Sequence, residues 1–322
     1  MFRRLIALAA GASLALTALT ACGSDSGSDS EGSITLGFSQ VGAESGWRTA
    51  NTKSIQDSAK KAGIELKFSD AQQKQENQIA AIRSFIKQKV DVIGFSPVVV
   101  TGWDAVLKEA KAADIPVVLT DRAVDSDPSL YVTFLGSDFV EEGRKAGQWL
   151  VDQYKDGADP VNIVQLEGTV GSAPAIDRKK GFEEVIGANP NLKVIASQSG
   201  DFTRAKGKEV MQALLKAHKD IDVLFAHNDD MGLGAMQAVE EAGLKPGEDI
   251  KIVTIDAVKD GMQALADGRF NFIVECSPLL GDQLMDVAKK IDAGEDVDKR
   301  IVTVETVFDQ AAAKEALPTR QY

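Results

Sequence analysis

From Ser33 to Tyr322, short apolar runs alternate with longer segments in which apolar residues recur at helical spacing. This alternation is typical of βαβ units, which build parallel sheets. The apolar runs predict strands at 34–38, 65–69, 92–95, 116–120, 131–135, 161–166, 193–197, 223–226, 252–255 and 272–276. The amphipathic segments predict helices from about 49 to 62 and at 75–88, 103–113, 139–154, 175–186, 204–218, 232–242, 261–266 and 280–293.

The strands and helices divide into two similar α/β halves. The first crossing between them is predicted after the strand at 131–135, where Asp138 is placed as the N-cap of the next helix. The tail, with its helix at 280–293 and an extended segment at 301–307, is long enough to return to the first sheet and to cross again. We therefore predict an α/β fold with two parallel sheets.

The N-terminal residues do not fit this pattern. Arg3 and Arg4 precede an apolar run at 5–19 that is too short to span a membrane securely, and the run ends in Leu-Thr-Ala before Cys22. This ending matches the lipobox of bacterial lipoproteins, so we predict a signal peptide at 1–21; a plain secretory signal is the alternative. Residues 22–32 are predicted to be an acylated Cys22 and a flexible tether, because GSDSGSDSEG has no apolar side chain.

Composition narrows the class of protein. The chain has 322 residues, of which 44% are hydrophobic and 26% charged, and its formal net charge is −12. This length suffices for two domains, and the acidic balance argues against nucleic acid as a partner. Beyond Cys22 the only cysteine is Cys276, which we expect to be a small buried residue without a disulfide partner in the mature domain.

The first predicted strand leads into a segment with a mixture of residues typical of a binding site. In GFSQVGAESGWR, residues 37–48, an aromatic ring (Trp47) stands beside a carboxylate (Glu44) and a guanidinium (Arg48). This combination suits a polyhydroxylated ligand, and open α/β sheets bind ligands at the carboxyl ends of their strands. The structural alternative is that Trp47 caps the core while Glu44 and Arg48 pair at helical spacing.

Other strand ends repeat this polar character, and each also has a structural alternative. Asp121 and Arg122 are expected to point in different directions and so not to pair with each other; they are ligand contacts or unrelated surface charges. Phe202 could be a core residue, and Asp177 could simply orient Arg178. The polar residues that follow the later strands are Glu167, Asp201, Asn228, Asp256 and Glu275.

Signatures of catalysis and of cofactors are missing from the sequence. Gly232-Leu-Gly234 has Gln237 where a dinucleotide fingerprint needs a third glycine, and no phosphate-binding loop or nucleophile elbow occurs. The two histidines, His218 and His227, match no metal-binding spacing. We therefore predict no cofactor, no metal and no catalytic residue.

Several long stretches resemble the periplasmic sugar-binding proteins of ABC importers, of the ribose-binding type. The resemblance covers essentially all of 33–322. The matching stretches are GFSQVGAESGWR at 37–48, QQKQENQIAAIRSF at 72–85, TGW at 101–103, VLKEAKAADIPV at 106–117, DR at 121–122, EGTVGSAPAIDRKKGF at 167–182, SQSGDFTRAKGKEVM at 197–211, AHNDDM at 226–231 and EAGLKPG at 241–247. Where pyranose and ribose binders carry aromatic pairs in the loop after the first strand, this chain has SGWR, which favours the galactofuranose branch.

The resemblance implies a type I periplasmic binding protein: two Rossmann-like lobes, joined by three hinge crossings, that close on a sugar. The lobes would comprise 33–136 plus 277–302 and 137–276 plus 303–322. Trp47 would stack on the sugar. The residues implied to bind its hydroxyls are Arg48, Asp121 and Arg122 in the first lobe and Arg178, Phe202, Asn228 and Asp256 in the second, with Glu275 at a hinge crossing and Glu44, Ser39 and Gln40 as further candidates.

The predicted function is that of a monomeric solute-binding lipoprotein, anchored through Cys22 to the outer face of the cell membrane or held in the periplasm. It would deliver a furanose sugar, galactofuranose above all, to an ABC permease. Three alternatives remain open from the sequence: binding of ribose, arabinose or galactopyranose; presentation of a sugar to a sensor; and a carbohydrate-active enzyme. A transcriptional repressor of the same fold is disfavoured by the lipobox and by the missing DNA-binding helices.

Overall fold

A computed structural model describes residues 33–157 and 159–322. The predicted signal peptide at 1–21 and the predicted acylated Cys22 with its tether at 22–32 lie outside these residues. Of the helices that are described, none combines the length and apolar character needed to cross a membrane.

The described residues alternate between strands and helices almost without interruption. The strands are β1 (Thr35–Gln40), β2 (Glu65–Asp70), β3 (Val92–Phe95), β4 (Val117–Thr120), β5 (Thr133–Gly136), β6 (Val161–Glu167), β7 (Leu192–Ser199), β8 (Val223–Ala226), β9 (Lys251–Asp256), β10 (Phe272–Glu275), β11 (Arg300–Val302) and β12 (Val307–Phe308). The helices are α1 (Gly46–Ala62), α2 (Gln75–Gln88), α3 (Asp104–Ala112), α4 (Phe139–Tyr154), α5 (Ala173–Ile186), α6 (Arg204–Ala217), α7 (Asp229–Glu241), α8 (Lys259–Ala266), α9 (Gly281–Asp292) and α10 (Gln310–Ala316).

The strands form two six-stranded sheets. Their orders are β11-β5-β4-β3-β1-β2 and β12-β10-β9-β8-β6-β7. The central strands β3, β4 and β8 are buried throughout, as expected for parallel strands covered by helices on both faces. The predicted α/β architecture with two sheets is confirmed. One detail is wrong: β12 pairs with β10 in antiparallel orientation, because a short link brings the chain to the sheet edge from the opposite direction.

The chain passes between the sheets three times. It leaves the first sheet after β5, returns after β10 so that α9 packs against α1 and β11 pairs with β5, and then crosses to β12. The segment 301–307, predicted as a single extended stretch, therefore contributes to two short strands in different sheets. A helix at its end, α10, is not predicted from the sequence; it is capped by Asp309, whose carboxylate accepts a hydrogen bond from the Ala312 N–H.

Side-chain caps move several helix starts toward the strand that precedes them. α1 begins at Gly46 rather than near residue 49, because the Ser45 hydroxyl accepts a hydrogen bond from the Arg48 N–H at 3.1 Å. α7 begins at Asp229 rather than at 232, because the Asn228 side chain caps it. The predicted cap at Asp138 is confirmed, since its carboxylate accepts from the Glu141 N–H at 3.0 Å. These early starts bring the first helical turns to the edges of the sheets, where the cavity lies.

Candidate ligand-binding site

A narrow cavity lies where the carboxyl ends of the two sheets face each other. The space between its walls is small, about 280 Å³ with the open mouth included. Nine of the residues proposed from the sequence line it together with three that were not proposed. The lining residues are Glu44, Ser45, Trp47, Arg48, Asp121, Arg122, Pro174, Arg178, Phe202, Asn228, Asp256 and Cys276.

On the side of the first sheet, Arg48 is held by two carboxylates. Its Nη2 donates to Asp121 Oδ2 at 2.7 Å and its Nε to Glu44 Oε1 at 3.1 Å. Burial alone would raise the pKa of Glu44, but the charges of Arg48 and Arg122 lower it below its usual value. The i,i+4 pair foreseen as a structural alternative therefore exists, and it is part of the cavity wall.

Arg122 is less completely paired than Arg48. Its Nη1 donates to the Val98 carbonyl at 3.2 Å. Glu44 Oε1 lies 3.7 Å from Arg122 Nη2, and Asp121 Oδ2 lies 3.7 Å from Arg122 Nε. The expectation that Asp121 and Arg122 do not pair is thus wrong, because both side chains turn to the same buried wall. Burial, and then the charge of Arg48, lower the pKa of Arg122 to about 10. Its buried Nε has no hydrogen-bond partner among the described residues, which leaves a donor for a ligand.

Trp47 is both a core residue and a wall of the cavity. Its side chain is 5% exposed and packs with the apolar cluster that includes Phe139 and Val258. The indole Nε1 donates to the Cys276 carbonyl at 2.7 Å, and the Arg48 guanidinium lies 4.6 Å from the ring centroid. The core reading drawn from the sequence fits this packing. The indole N–H is already satisfied and only the apolar ring remains for a ligand, so stacking on a sugar stays a prediction.

On the side of the second sheet, Arg178 and Asp256 form the charged wall. Arg178 Nε donates to Glu142 Oε2 at 2.7 Å, and Arg178 Nη2 lies 3.8 Å from Asp256 Oδ1. The suggestion that Asp177 orients Arg178 is wrong, because Glu142 on the neighbouring helix α4 occupies that role. Burial raises the pKa of Asp256 well above its usual value, and its Oδ2 has no hydrogen-bond partner among the described residues.

Phe202 and Asn228 complete this wall. Phe202 is 4% exposed, belongs to the core cluster of the second sheet and has its ring 5.3 Å from the Arg122 guanidinium of the opposite wall. The Asn228 amide donates to the Phe202 carbonyl at 3.1 Å and its oxygen caps α7. Phe202, Asp121 and Asp256 all have positive φ angles of 59°, 61° and 129°. Such strained backbone in non-glycine residues clusters at functional sites.

Three of the proposed residues do not line the cavity. Glu275 points to the opposite side of its strand, where it accepts hydrogen bonds from Arg320 at 2.7 Å and from the Tyr322 hydroxyl at 3.0 Å. Its proposed contact with a ligand does not fit this structure. Gln40 accepts from Arg48 Nη1 at 3.2 Å and so supports the wall from behind, while Ser39 is fully buried in β1.

The cavity also contains residues that sequence reasoning missed. Ser45 enters as the cap of α1, a role that its position before Gly46 could have indicated. Cys276 follows Glu275 directly, and the alternation of side chains along a strand turns Cys276 inward when Glu275 turns outward. Pro174 lies in the first turn of α5, where proline is favoured, and its contribution had no separate signal in the sequence.

These groups together suit a small polyol. Guanidinium groups donate, carboxylate groups accept, and the amide of Asn228 can do both; two aromatic rings offer apolar faces for C–H groups. All of these charged side chains are buried. A ligand hydroxyl that binds there therefore exchanges its hydrogen bonds with water for directed hydrogen bonds with these side chains. The cavity of the described residues holds no histidine, and its cysteine thiol has a pKa raised well above its usual value by burial.

Comparison with known proteins gives the family. Residues 36–296 match the periplasmic binding protein domain, and the chain belongs to that family. It is similar to the galactofuranose-binding protein YtfQ of Escherichia coli (strain K12), with 51% identity over 293 residues, or 89% of this chain and 92% of the relative. The type I periplasmic binding fold predicted from the sequence motifs is confirmed.

Two solved structures of similar proteins contain furanose sugars. One, from Mycobacterium smegmatis, is a complex with β-D-fucofuranose; it is 68% identical, covers 90% of this chain and 96% of that chain, and has a TM-score of 0.89. The other is the periplasmic binding component of the arabinose ABC transporter of Shewanella sp. ANA-3, bound to α- and β-L-arabinofuranose. It is 52% identical, covers 89% and 96% of the two chains, and has a TM-score of 0.86.

Proposed function

We propose that this chain is the extracytoplasmic solute-binding component of an ABC transporter and that it binds a furanose sugar, with galactofuranose as the expected ligand. It captures the sugar between two lobes, 33–136 plus 277–302 and 137–276 plus 303–322, and passes it to the permease as a monomer without chemical change. An acyl group on Cys22 holds it at the outer face of the cell membrane, and residues 22–32 form the tether.

The composition of the buried cavity is the observation that carries this proposal. The cavity is small and lined by charged, polar and aromatic side chains, which suits one monosaccharide rather than an oligosaccharide. Two walls of opposite lobes each present an arginine with a carboxylate, Arg122 with Asp121 and Arg178 with Asp256, and each also presents one aromatic ring. The furanose complexes of the relatives from Mycobacterium smegmatis and Shewanella support the choice of ring form.

Specificity follows from how completely the ligand satisfies these groups. A sugar that leaves one buried donor or acceptor unpaired loses ~1–3 kcal/mol, which is enough to separate closely related sugars. Closure follows as well, because only a closed arrangement lets both walls contact the ligand, so the sugar shifts the equilibrium toward the closed state.

Calorimetric titration with a panel of D-galactose, D-fucose, L-arabinose, D-ribose and D-fructose tests the proposal, combined with mass spectrometry of any sugar that co-purifies. We expect saturable 1:1 binding by sugars that have a furanose form, and unchanged sugar recovered afterward. Absence of binding across the panel, or a chemically altered sugar, would contradict it. Membrane fractionation of the full chain and its Cys22→Ser variant tests the anchor: the variant should be released.

A further inference from the structure

Two acceptors that do not line the cavity orient the Arg178 side chain. Arg178 Nε donates to Glu142 Oε2 at 2.7 Å, and Nη1 donates to the His227 carbonyl. The two bonds hold the guanidinium at Nε and at Nη1, and the remaining nitrogen, Nη2, lies 3.8 Å from Asp256 Oδ1 in the cavity wall. Because a guanidinium is planar and rigid, holding Nε and Nη1 fixes the direction of Nη2.

Glu142 reaches Arg178 because α4 and α5 approach closely. A Cβ atom on Gly143 would lie 2.2 Å from the Arg178 carbonyl oxygen, and one on Gly181 would lie 1.9 Å from the Val140 carbonyl oxygen. Only glycine fits at either position. The two helices therefore meet backbone to backbone, and Glu142, next to one of these glycines, is brought into direct contact with Arg178.

Several titratable groups lie close to Glu142. One of its oxygens, Cys276 Sγ and one oxygen of Glu305 lie within 4.8 Å of one another, and Asp256 is close enough for its charge to interact. Glu142 Oε1 is buried without a hydrogen-bond partner among the described residues. Burial raises the pKa of Glu142 to about 8, despite the opposing charge of Arg178 and with the help of the charge of Glu305.

We propose that Glu142 is a positioning residue for ligand binding: it sets the direction of the Arg178 guanidinium and thereby the affinity for the sugar, without touching the sugar itself. This rests on the proposed function, since it requires a sugar that contacts Arg178. Glu142, Arg178 and His227 all belong to the same side of the cavity, so the arrangement does not depend on the contacts between the two walls.

The charge of Glu142 should change the strength of this positioning. A hydrogen bond from a guanidinium to an ionised carboxylate is roughly twice as strong as one to a neutral acceptor. Affinity should therefore increase as the pH rises through about 8 and Glu142 loses its proton. The variant Glu142→Gln keeps an oxygen acceptor for Arg178 Nε but cannot ionise, so it should behave as the protonated form does.

The test is calorimetry of the full chain with D-fucose and D-galactose solutions at about pH 6 and about pH 9, values on either side of the titration. The proteins are the wild type, Glu142→Gln and the matched control Glu141→Gln, an exposed glutamate on the same helix. We expect the wild type and Glu141→Gln to gain affinity at the higher pH. Glu142→Gln should have the low-pH affinity at both pH values. At the higher pH it should therefore bind the sugar about tenfold more weakly than wild type, as for the loss of one charged hydrogen bond.

A merely structural role of Glu142 would give a different pattern. Titration of Asp256, Cys276 or Glu305 would leave Glu142→Gln with the wild-type pH profile, and that result overturns the proposal. In an Arg178→Gln background, Glu142→Gln should cause no further loss of affinity; an additive loss also contradicts it. Cooperative thermal unfolding of each variant confirms folding. Failure of the wild type to bind any sugar would instead reject the proposed function.

Discussion

The Asp230 carboxylate accepts a hydrogen bond of 2.7 Å from the backbone N–H of Gly46, and this bond joins the two walls of the cavity. Gly46 is the first residue of α1, where the free N–H groups of a helix favour a negative charge. The same carboxylate accepts from Arg204 Nε at 3.1 Å. Another bond between the two sides runs from the Val100 N–H to the Gly171 carbonyl at 2.9 Å.

Asp230→Ala should therefore weaken sugar binding by acting on closure. Asp230 does not line the cavity, so the variant removes a contact of the closed form and leaves the sugar contacts intact. We expect sugar to dissociate several-fold faster, up to about tenfold, as for the loss of one hydrogen bond with a charged acceptor. Stopped-flow fluorescence measures the rate. Asp260→Ala, which removes the other carboxylate bound to Arg204, is the control and should leave the rate unchanged; an unchanged rate in Asp230→Ala rejects the assignment.

Asp256 should bind the sugar through its free carboxyl oxygen. Its pKa is raised well above the usual value, chiefly by burial, and its Oδ2 has no partner among the described residues. Asp256→Asn keeps a donor and an acceptor in nearly the same positions and should bind within about tenfold of wild type. Asp256→Ala leaves Arg178 and the ligand hydroxyl without that partner and should lose about 100-fold. Equal calorimetric affinities for the two variants would exclude a hydrogen-bonding role.

Trp47 should report ligand binding by its fluorescence. Of the three tryptophans, Trp103 packs on Phe95 and Trp149 on Phe272, and only Trp47 lines the cavity. Any change in tryptophan emission on adding sugar should disappear in Trp47→Phe and persist in the matched control Trp149→Phe. The Phe variant keeps an apolar face but loses the bond to the Cys276 carbonyl, so we expect a loss of affinity of about tenfold or less. Persistence of the emission change in Trp47→Phe would place the sugar elsewhere.

Buried carboxylates should make the stability of the fold depend on pH. Asp229, in the first turn of α7, accepts hydrogen bonds from the Thr254 hydroxyl and the Val258 N–H, and burial raises its pKa to about 7. The folded state therefore holds a proton that the unfolded state, with a pKa of about 3.9, releases. Stability from this group is complete below about pH 4 and is lost as the pH rises through about 7.

Thermal unfolding of the wild type and of Asp229→Asn checks this sign. The amide has the same shape and does not ionise, so its melting temperature should change less between about pH 5 and about pH 8. We expect the wild type to lose roughly 5 °C relative to the variant over this interval. A constant difference between the two proteins would show that Asp229 does not titrate in that range. Burial also raises the pKa of Glu142, so this group lowers stability at rising pH in the same way, but it is present in both proteins and does not affect their difference.

Much of the fold was predictable because apolar periodicity fixes where strands and helices must lie. The strand ends were predictable for a related reason: parallel strands bring their carboxyl ends to one edge of a sheet, so Asn228 and Asp256, at the ends of the neighbouring strands β8 and β9, had to approach each other. The residues at which the helices begin were harder to predict. The caps Ser45 and Asn228 lie next to residues that looked equally suited to a loop, and only the folded geometry shows which side chain accepts the bond.

Contacts between elements distant in sequence were the part of the structure that the sequence predicted least well. Nothing near Arg178 in the sequence points to Glu142, since their meeting depends on two glycines, Gly143 and Gly181, that allow helices to touch. Glu275 was assigned to the cavity because it ends a strand, yet its partner Arg320 lies in a C-terminal segment for which no structure was predicted. Nine of the residues that the resemblance implies line the cavity; of those behind its walls, the resemblance named Gln40 and did not name Glu142.

The proposed function requires that the cavity prefer a five-membered sugar ring over a six-membered one, and a pair of ring-locked sugars tests this preference directly. 1,4-Anhydro-D-galactitol has the five-membered ring of galactofuranose, and 1,5-anhydro-D-galactitol has the six-membered ring of galactopyranose; each lacks only the anomeric hydroxyl and neither can change its ring. Calorimetric titration of the wild-type chain should give saturable 1:1 binding with the 1,4-anhydro compound and at least tenfold weaker binding with the 1,5-anhydro compound, a difference of ~1.4 kcal/mol or more. Tighter binding of the 1,5-anhydro compound would contradict the proposed specificity for a furanose ring.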